Sequence, residues 1–119
     1  MDFSCAIRKN ESLKGGYFRA VFDAPGIAAK ARGGQFVHIR IPAMRDRILR
    51  RPFSISDTDP ASGALTVVYK VVGCGTEELS VLRPGDVCNI MGPLGNAYTP
   101  PGPDTFPILV AGGYGSAAL

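Results

Sequence analysis

Arg50-Arg51-Pro52-Phe53-Ser54-Ile55-Ser56 sets two guanidiniums, a proline, an aromatic ring and two hydroxyls into seven residues with strand-like alternation. In an extended strand Arg51, Phe53 and Ile55 share one side while Pro52, Ser54 and Ser56 share the other, so cation, ring and hydroxyls cannot all face one apolar core. Pro52 removes a backbone donor, which suits a strand start, an edge or a bulge. The stretch reads as the wall of a site for a ligand that is both anionic and planar. A surface strand with solvated arginines is the other reading of the same residues.

Outward from this stretch the chain alternates repeatedly. Phe3, Cys5 and Ile7 mark a first strand, and Phe18, Ala20 and Phe22 form the core side of a second that runs from Tyr17 to Phe22 after the Lys14-Gly15-Gly16 turn. Pro25-Gly26 closes it, Ile27 to Ala31 suits a helical turn, and Gly33-Gly34 reverses into a strand from Gln35 to Ile41 with Val37, Ile39 and Ile41 inward. Met44 to Leu49 reads as a loop. Asp57 to Gly63 reads as a plain hairpin turn, and Ala64 to Val72 as the most apolar strand, with Leu65, Val67, Tyr69 and Val71 on one side. Its expected partner is the Arg50–Ser56 stretch, antiparallel, which would bring Tyr69 and Lys70 beside Arg51 to Ser54.

Gly73-Cys74-Gly75-Thr76 leads into Glu77 to Leu82, a run of helix formers with Thr76 placed to cap it. A glycine turn feeding a helix start offers free N–H groups that suit a phosphate, although Glu77 and Glu78 could satisfy the same dipole. Arg83-Pro84-Gly85-Asp86 turns into a strand from Val87 to Met91, and Gly92-Pro93-Leu94-Gly95-Asn96 reads as another rigid turn. The whole predicts a mainly all-β fold: a small six-stranded antiparallel Greek-key barrel with one short helix. Ala97 to Pro107 reads as a linker, and Ile108-Leu109-Val110-Ala111 as a buried parallel strand followed by a glycine turn, as at the start of an α/β nucleotide-binding lobe. The expected domains are 1–98, the barrel, and 99–119, the linker with the first strand of a truncated lobe. A last barrel strand is the alternative for Ile108 to Ala111.

Composition bounds the function. The 119 residues are 45% hydrophobic and 19% charged, ordinary for a globular domain. No apolar run approaches the length of a membrane span and no secretory leader is legible, so a cytoplasmic location is expected. Cys5, Cys74 and Cys88 have no metal or disulfide spacing and read as small apolar fillers; no metal site is expected. The net charge of +3 is too small to argue for nucleic acid, yet Arg40, Arg45, Arg47, Arg50 and Arg51 fall close together, which points to a local anion site. Binding of single-stranded nucleic acid would need aromatics interleaved with those arginines, and only Phe53 and Tyr69 qualify. His38, the single histidine, reads as a solvated residue on a strand's polar face.

With Arg51-Pro52-Phe53-Ser54, Val68-Tyr69-Lys70, Gly73-Cys74-Gly75-Thr76, Gly92-Pro93-Leu94-Gly95 and Gly112-Gly113-Tyr114-Gly115 in this order, the chain from Phe3 to Leu119 resembles the FAD-binding half of the ferredoxin-reductase-like flavoproteins. The resemblance is greatest to the electron-transfer subunits of dihydroorotate dehydrogenase. It implies FAD as cofactor, with Arg51 on the diphosphate, Ser54 near the redox edge of the isoalloxazine and Phe53 against the ring. It also implies that Pro52, Val68, Tyr69 and Lys70 contact the flavin and that Gly75 and Thr76 hold the phosphate and adenosine end. Lys70 stands where close relatives carry arginine, keeping the charge and losing the bidentate fork. NAD(P) and a [2Fe-2S] cluster belong to further segments of a complete family member, so little NAD(P)H turnover is expected from these residues. No catalytic acid or base is implied. The implied partner is a catalytic dihydroorotate dehydrogenase subunit or another redox protein, with self-association through the incomplete C-terminal strand a further expectation. Arg50 reads as a surface charge. The alternative to a flavin domain is a non-catalytic barrel, a ligand-binding or interaction module without flavin.

Overall fold

The computed structural model describes residues 1–42 and 49–119. Its strands are β1 (Asp2–Ser12), β2 (Tyr17–Asp23), β3 (Phe36–Arg40), β4 (Arg51–Ser54), β5 (Asp57–Asp59), β6 (Ala64–Lys70) and β7 (Val87–Leu94), with two short helices, α1 (Pro25–Ala28) and α2 (Cys74–Ser80), and a 3-10 turn at Tyr114–Ala118. The strands form one antiparallel sheet in the order β4-β3-β7-β1-β2-β6-β5. The mainly all-β expectation is met.

The sheet's two ends are consecutive pieces of chain. β4 pairs with β3, β5 pairs with β6, and only Ile55 and Ser56 separate them. Ile55 N–H donates to Gln35 O at 3.1 Å and Ser56 N–H to Thr66 O at 2.9 Å, so the chain passes from one end of the sheet to the other within two residues. A strand that changes partners at a bend makes a corner and curls the sheet around its core. The Arg50–Ser56 stretch is that corner.

Alternation in sequence becomes alternation in burial. Cys5 and Ile7, Ala20 and Phe22, Val37 and Ile39, and Leu65, Val67 and Tyr69 turn inward to meet Ile90, Cys88, Ile27 and Leu79. Burying each Ile, Leu, Val or Phe side chain contributes about 1.5–3 kcal/mol before chain entropy is counted.

Several expectations change. Among the described residues seven strands replace six, because Asp57–Asp59, read as part of a turn, pairs with Ala64 to Thr66. The partners of β6 are β2 and β5, not β4. Gly92 to Leu94, also read as a turn, completes β7, whose Leu94 pairs with Phe36. A Cβ at Gly92 would stand 2.7 Å from Val37 Cγ1, so this glycine allows a close strand approach where a reversal was expected. Of the cysteines, Cys5 and Cys88 are buried fillers, whereas Cys74 is exposed on α2. Ile108 to Ala111 forms no strand, and Ile108 and Val110 are 86% and 84% exposed.

Candidate functional site

β4 supplies one wall of the site and β6 the other. Although the two strands are not hydrogen-bonded neighbours, the Phe53 ring meets the Tyr69 ring edge-on at 5.9 Å between centroids. Between them opens a cleft of about 280 Å³. It is lined by Arg51, Pro52, Phe53 and Ser54 from β4, and by Val68, Tyr69 and Lys70 from β6. Thr76 from α2 is the last predicted residue on the lining, and Val72 and the C-terminal turn, through Tyr114, Gly115 and Ala117, add walls that were not expected. Of the predicted residues only Gly75 stands behind the surface; it is buried against the Arg51 side chain.

Each wall has a local cause. The alternation of β4 turns Phe53 and Ile55 into the core, leaves Pro52 and Ser54 exposed and holds Arg51 half-buried at the rim. Pro52, which cannot donate, sits on a strand that ends the sheet. Tyr69 is almost wholly buried, its ring stacked on Phe18 at 5.5 Å. Its hydroxyl donates to Asn10 Oδ1 at 3.0 Å, and Asn10 Nδ2 donates to Leu79 O at 2.8 Å and Leu82 O at 3.0 Å. One asparagine thus joins β1 and β6 to the end of α2. Burial pushes the Tyr69 phenol up to about 12, against the smaller opposing pull of the Asn10 hydrogen bond. Phe53 and Tyr69 therefore form the floor of the cleft, Phe53 retaining 8% exposure and Tyr69 2%.

The helix α2 begins earlier than the sequence suggests. Gly73 is its N-cap and Thr76 the third helical residue. Thr76 Oγ1 accepts from Val72 N–H at 2.8 Å and Gly73 N–H at 3.2 Å and donates to Gly73 O at 3.0 Å. The threonine steadies the turn from inside the helix, in place of the cap position assigned to it, and its side chain borders the cleft.

Two cations face this cleft. Arg51 Nη1 donates to Leu49 O at 3.0 Å, and Lys70 Nζ lies 5.2 Å from the centroid of the Tyr17 ring. Among the described residues neither takes part in an ion pair. Cations with no carboxylate partner among the described residues, beside a largely apolar floor, suit a ligand with an anionic and a planar part. The remaining members of the arginine cluster divide. Arg50 is no free surface charge: it donates to Asn89 O and to Asp2 Oδ2, each at 3.2 Å, with 18% of its side chain exposed. Arg40 is exposed at the end of β3, and Arg45 and Arg47 lie outside the described residues.

The cleft is small for a dinucleotide, since pockets that enclose most of a drug-sized ligand run to roughly 300–1,000 Å³. FAD fits if its ring system enters the cleft and the diphosphate passes over the rim at Arg51. The cation at that rim and the absent Cβ of Gly75 beneath it agree with such a path.

Comparisons with known proteins point the same way. A family model described as an oxidoreductase FAD-binding domain matches residues 4–98. The chain is 49% identical over 98 residues to the dihydroorotate dehydrogenase B (NAD(+)) electron transfer subunit of Desulforamulus reducens, covering 82% of this chain and 37% of that one. It is 40% identical over 89 residues to the subunit of the same description from Geobacillus kaustophilus, covering 72% and 34%. The chain thus spans about a third of the length of these relatives. Among solved structures, that of an NADH-dependent reduced ferredoxin-NADP oxidoreductase aligns with a TM-score of 0.74 and 35% identity over 80% of this chain and 34% of that one. The ferredoxin reductase of carbazole 1,9a-dioxygenase shares the fold, with a TM-score of 0.72 at 20% identity over 87% of this chain and 31% of that one. Taken with the barrel and its cleft, these matches show that the chain belongs to the oxidoreductase FAD-binding domain family.

Proposed function

We propose that the chain binds FAD in the cleft between β4 and β6, as the flavin domain of a dihydroorotate dehydrogenase electron-transfer subunit. The observation that carries this reading is the pairing of Arg51 and Lys70, neither engaged by a carboxylate among the described residues, with the apolar floor made by Phe53 and Tyr69. Arg51 would hold the diphosphate with its forked donors, Lys70 would add a second positive charge, and Thr76 would form the phosphate side of the site, with Gly75 acting from behind Arg51. Ser54 and Pro52 would border the ring, with Ser54 offering a hydroxyl to its polar edge. Val68 would complete the β6 side.

FAD when bound supplies the exchange of electron pairs for single electrons, and the barrel's part is to bind and orient it. No side chain of the cleft is assigned as a proton donor or acceptor. NAD(P) and a [2Fe-2S] cluster are assigned to parts of the longer relatives that this chain does not span, and residues 99–119 to the approach to the nucleotide lobe. The proposed partner is a catalytic dihydroorotate dehydrogenase subunit, with pyrimidine biosynthesis as the setting. A cytoplasmic location goes with this reading; among the described residues no helix is long and apolar enough to cross a membrane.

Titration of the purified chain with FAD, followed by quenching of flavin fluorescence, tests the proposal. Uptake with 1:1 stoichiometry is expected, and Arg51→Ala should weaken it about ten- to a hundredfold, the usual worth of a charge-assisted contact. A chain that takes up no FAD would falsify the reading and favour a barrel without flavin.

A further inference from the structure

We propose that Gly75 is a positioning residue: its missing Cβ lets the Arg51 side chain lie against the first turn of α2, which fixes the direction of the guanidinium. The inference rests on the FAD reading for what Arg51 grips, and on the contacts alone for how Arg51 is held.

Nothing in the backbone calls for glycine at position 75. Gly75 lies outside the left-handed region that Gly15, Gly16, Gly34, Gly63, Gly85 and Gly95 occupy. It is the second residue of α2, where alanine is the better helix former. Space supplies the reason. A Cβ built on Gly75 would stand 3.1 Å from Arg51 Nε, 3.5 Å from its Cγ and 3.7 Å from its Cδ, so the three nearest atoms all belong to one side chain. Ordinary van der Waals contact for such a Cβ lies at 3.4–4 Å, and the first of these distances is shorter.

Arg51 is also held at its far end. Its Nη1 donates to Leu49 O at 3.0 Å, so the guanidinium is tied to a carbonyl at one end while its stem rests on Gly75. A methyl group at position 75 would push Nε away and force either that hydrogen bond or the aim of the fork to change. A planar donor set depends on direction as well as distance, so a tilt alone loosens a phosphate that a point charge would still hold.

A four-variant cycle tests this: wild type, Gly75→Ala, Arg51→Ala and the double variant, each titrated with FAD and each melted without it. Gly75→Ala should weaken FAD binding about three- to tenfold in the wild-type background and have no further effect once Arg51 is alanine, the signature of two residues acting as one. The Arg51 Nε–H resonance should move in Gly75→Ala. Any fall in the melting temperature of Gly75→Ala should be reversed in the double variant, because removing the arginine removes the clash. Equal affinity losses in both backgrounds would mean that Gly75 meets the cofactor directly and overturn the proposal. An unmoved Nε resonance, or a melting deficit that persists without Arg51, overturns it as well. Failure of the wild type to take up FAD instead removes the diphosphate role, while the resonance and the melting cycle still report the contact.

Discussion

Residues 87–94 and residues 106–111 are both rich in apolar side chains, yet only the first stretch buries them. In β7, Cys88 and Ile90 are fully covered because β1 and β3 flank the strand and the barrel interior receives its inward face. Phe106, Ile108 and Val110 are 95%, 86% and 84% exposed, with no strand on either side. Apolar content sets how much a segment would gain from burial; neighbours set whether it gains anything. A continuous run also differs in kind from an alternating one, since it needs cover on two faces where β7 needs it on one.

The sharpest way to break this contrast is to truncate one residue from each side of it. Phe22→Ala empties the middle of the core and should cost about 3–5 kcal/mol in urea unfolding, whereas Ile108→Ala should change stability by less than about 0.5 kcal/mol. Comparable losses from the two would mean that the tail is packed in solution. A smaller effect is expected from Asn10→Ala, which leaves the Tyr69 hydroxyl and the carbonyls of Leu79 and Leu82 without their shared partner. It should cost roughly 1–3 kcal/mol, with loss of protection in α2 by hydrogen exchange ahead of the β1–β7 pairs.

Alkaline titration separates the two regions more gently. Burial raises Cys5 to about 11, Cys88 to about 12 and Tyr69 to about 12. In the unfolded chain these groups lose their protons near the ordinary values of 9.0 for a thiol and 10.0 for a phenol, so between those values and the raised ones the unfolded state binds fewer protons than the folded state. Stability should hold up to about pH 9 and fall as pH rises towards 12. Tyr69→Phe should flatten the upper part of that slope, which denaturant midpoints measured from pH 8 to 11 would reveal. An unchanged slope would mean that the phenol reaches water in the folded state.

Much of the barrel was legible because alternation is a local signal. Phe18 to Phe22, Val37 to Ile41 and Leu65 to Tyr69 each announce an inward face within a few residues. Partners are another matter. The link between Arg50 and Asp2 spans 48 residues, and one charge in a cluster of arginines reads as solvated until the fold brings a distant partner to it. Asp57 to Asp59 carries no apolar alternation, so its pairing was hidden behind the turn signals of Pro60 and Gly63. Gly92-Pro93 gave the opposite error, two turn-forming residues serving a strand where Val37 leaves no room for a Cβ. At the cleft the structure brings together the residues that the motifs named, with Gly75 behind them, although β4 and β6 meet there across the cleft rather than along a ladder. Tyr114 to Ala117 was read only as part of another lobe, and no pattern in the sequence indicates that it lies beside Lys70.

The place of β1 between β2 and β7 bears on how the chain is made as well as how it stands. A ribosome delivers β1 and its hairpin partner before the rest of the barrel, but the other side of β1, from Asp2 to Ala6, has its mate only when residues 87–91 appear. Until then that side is an open template for any passing strand, the circumstance in which β proteins aggregate. Pairing across so long a stretch of sequence also slows folding towards the millisecond-to-second range of barrels dominated by distant contacts. Within the barrel, the first strand is among the last to be finished.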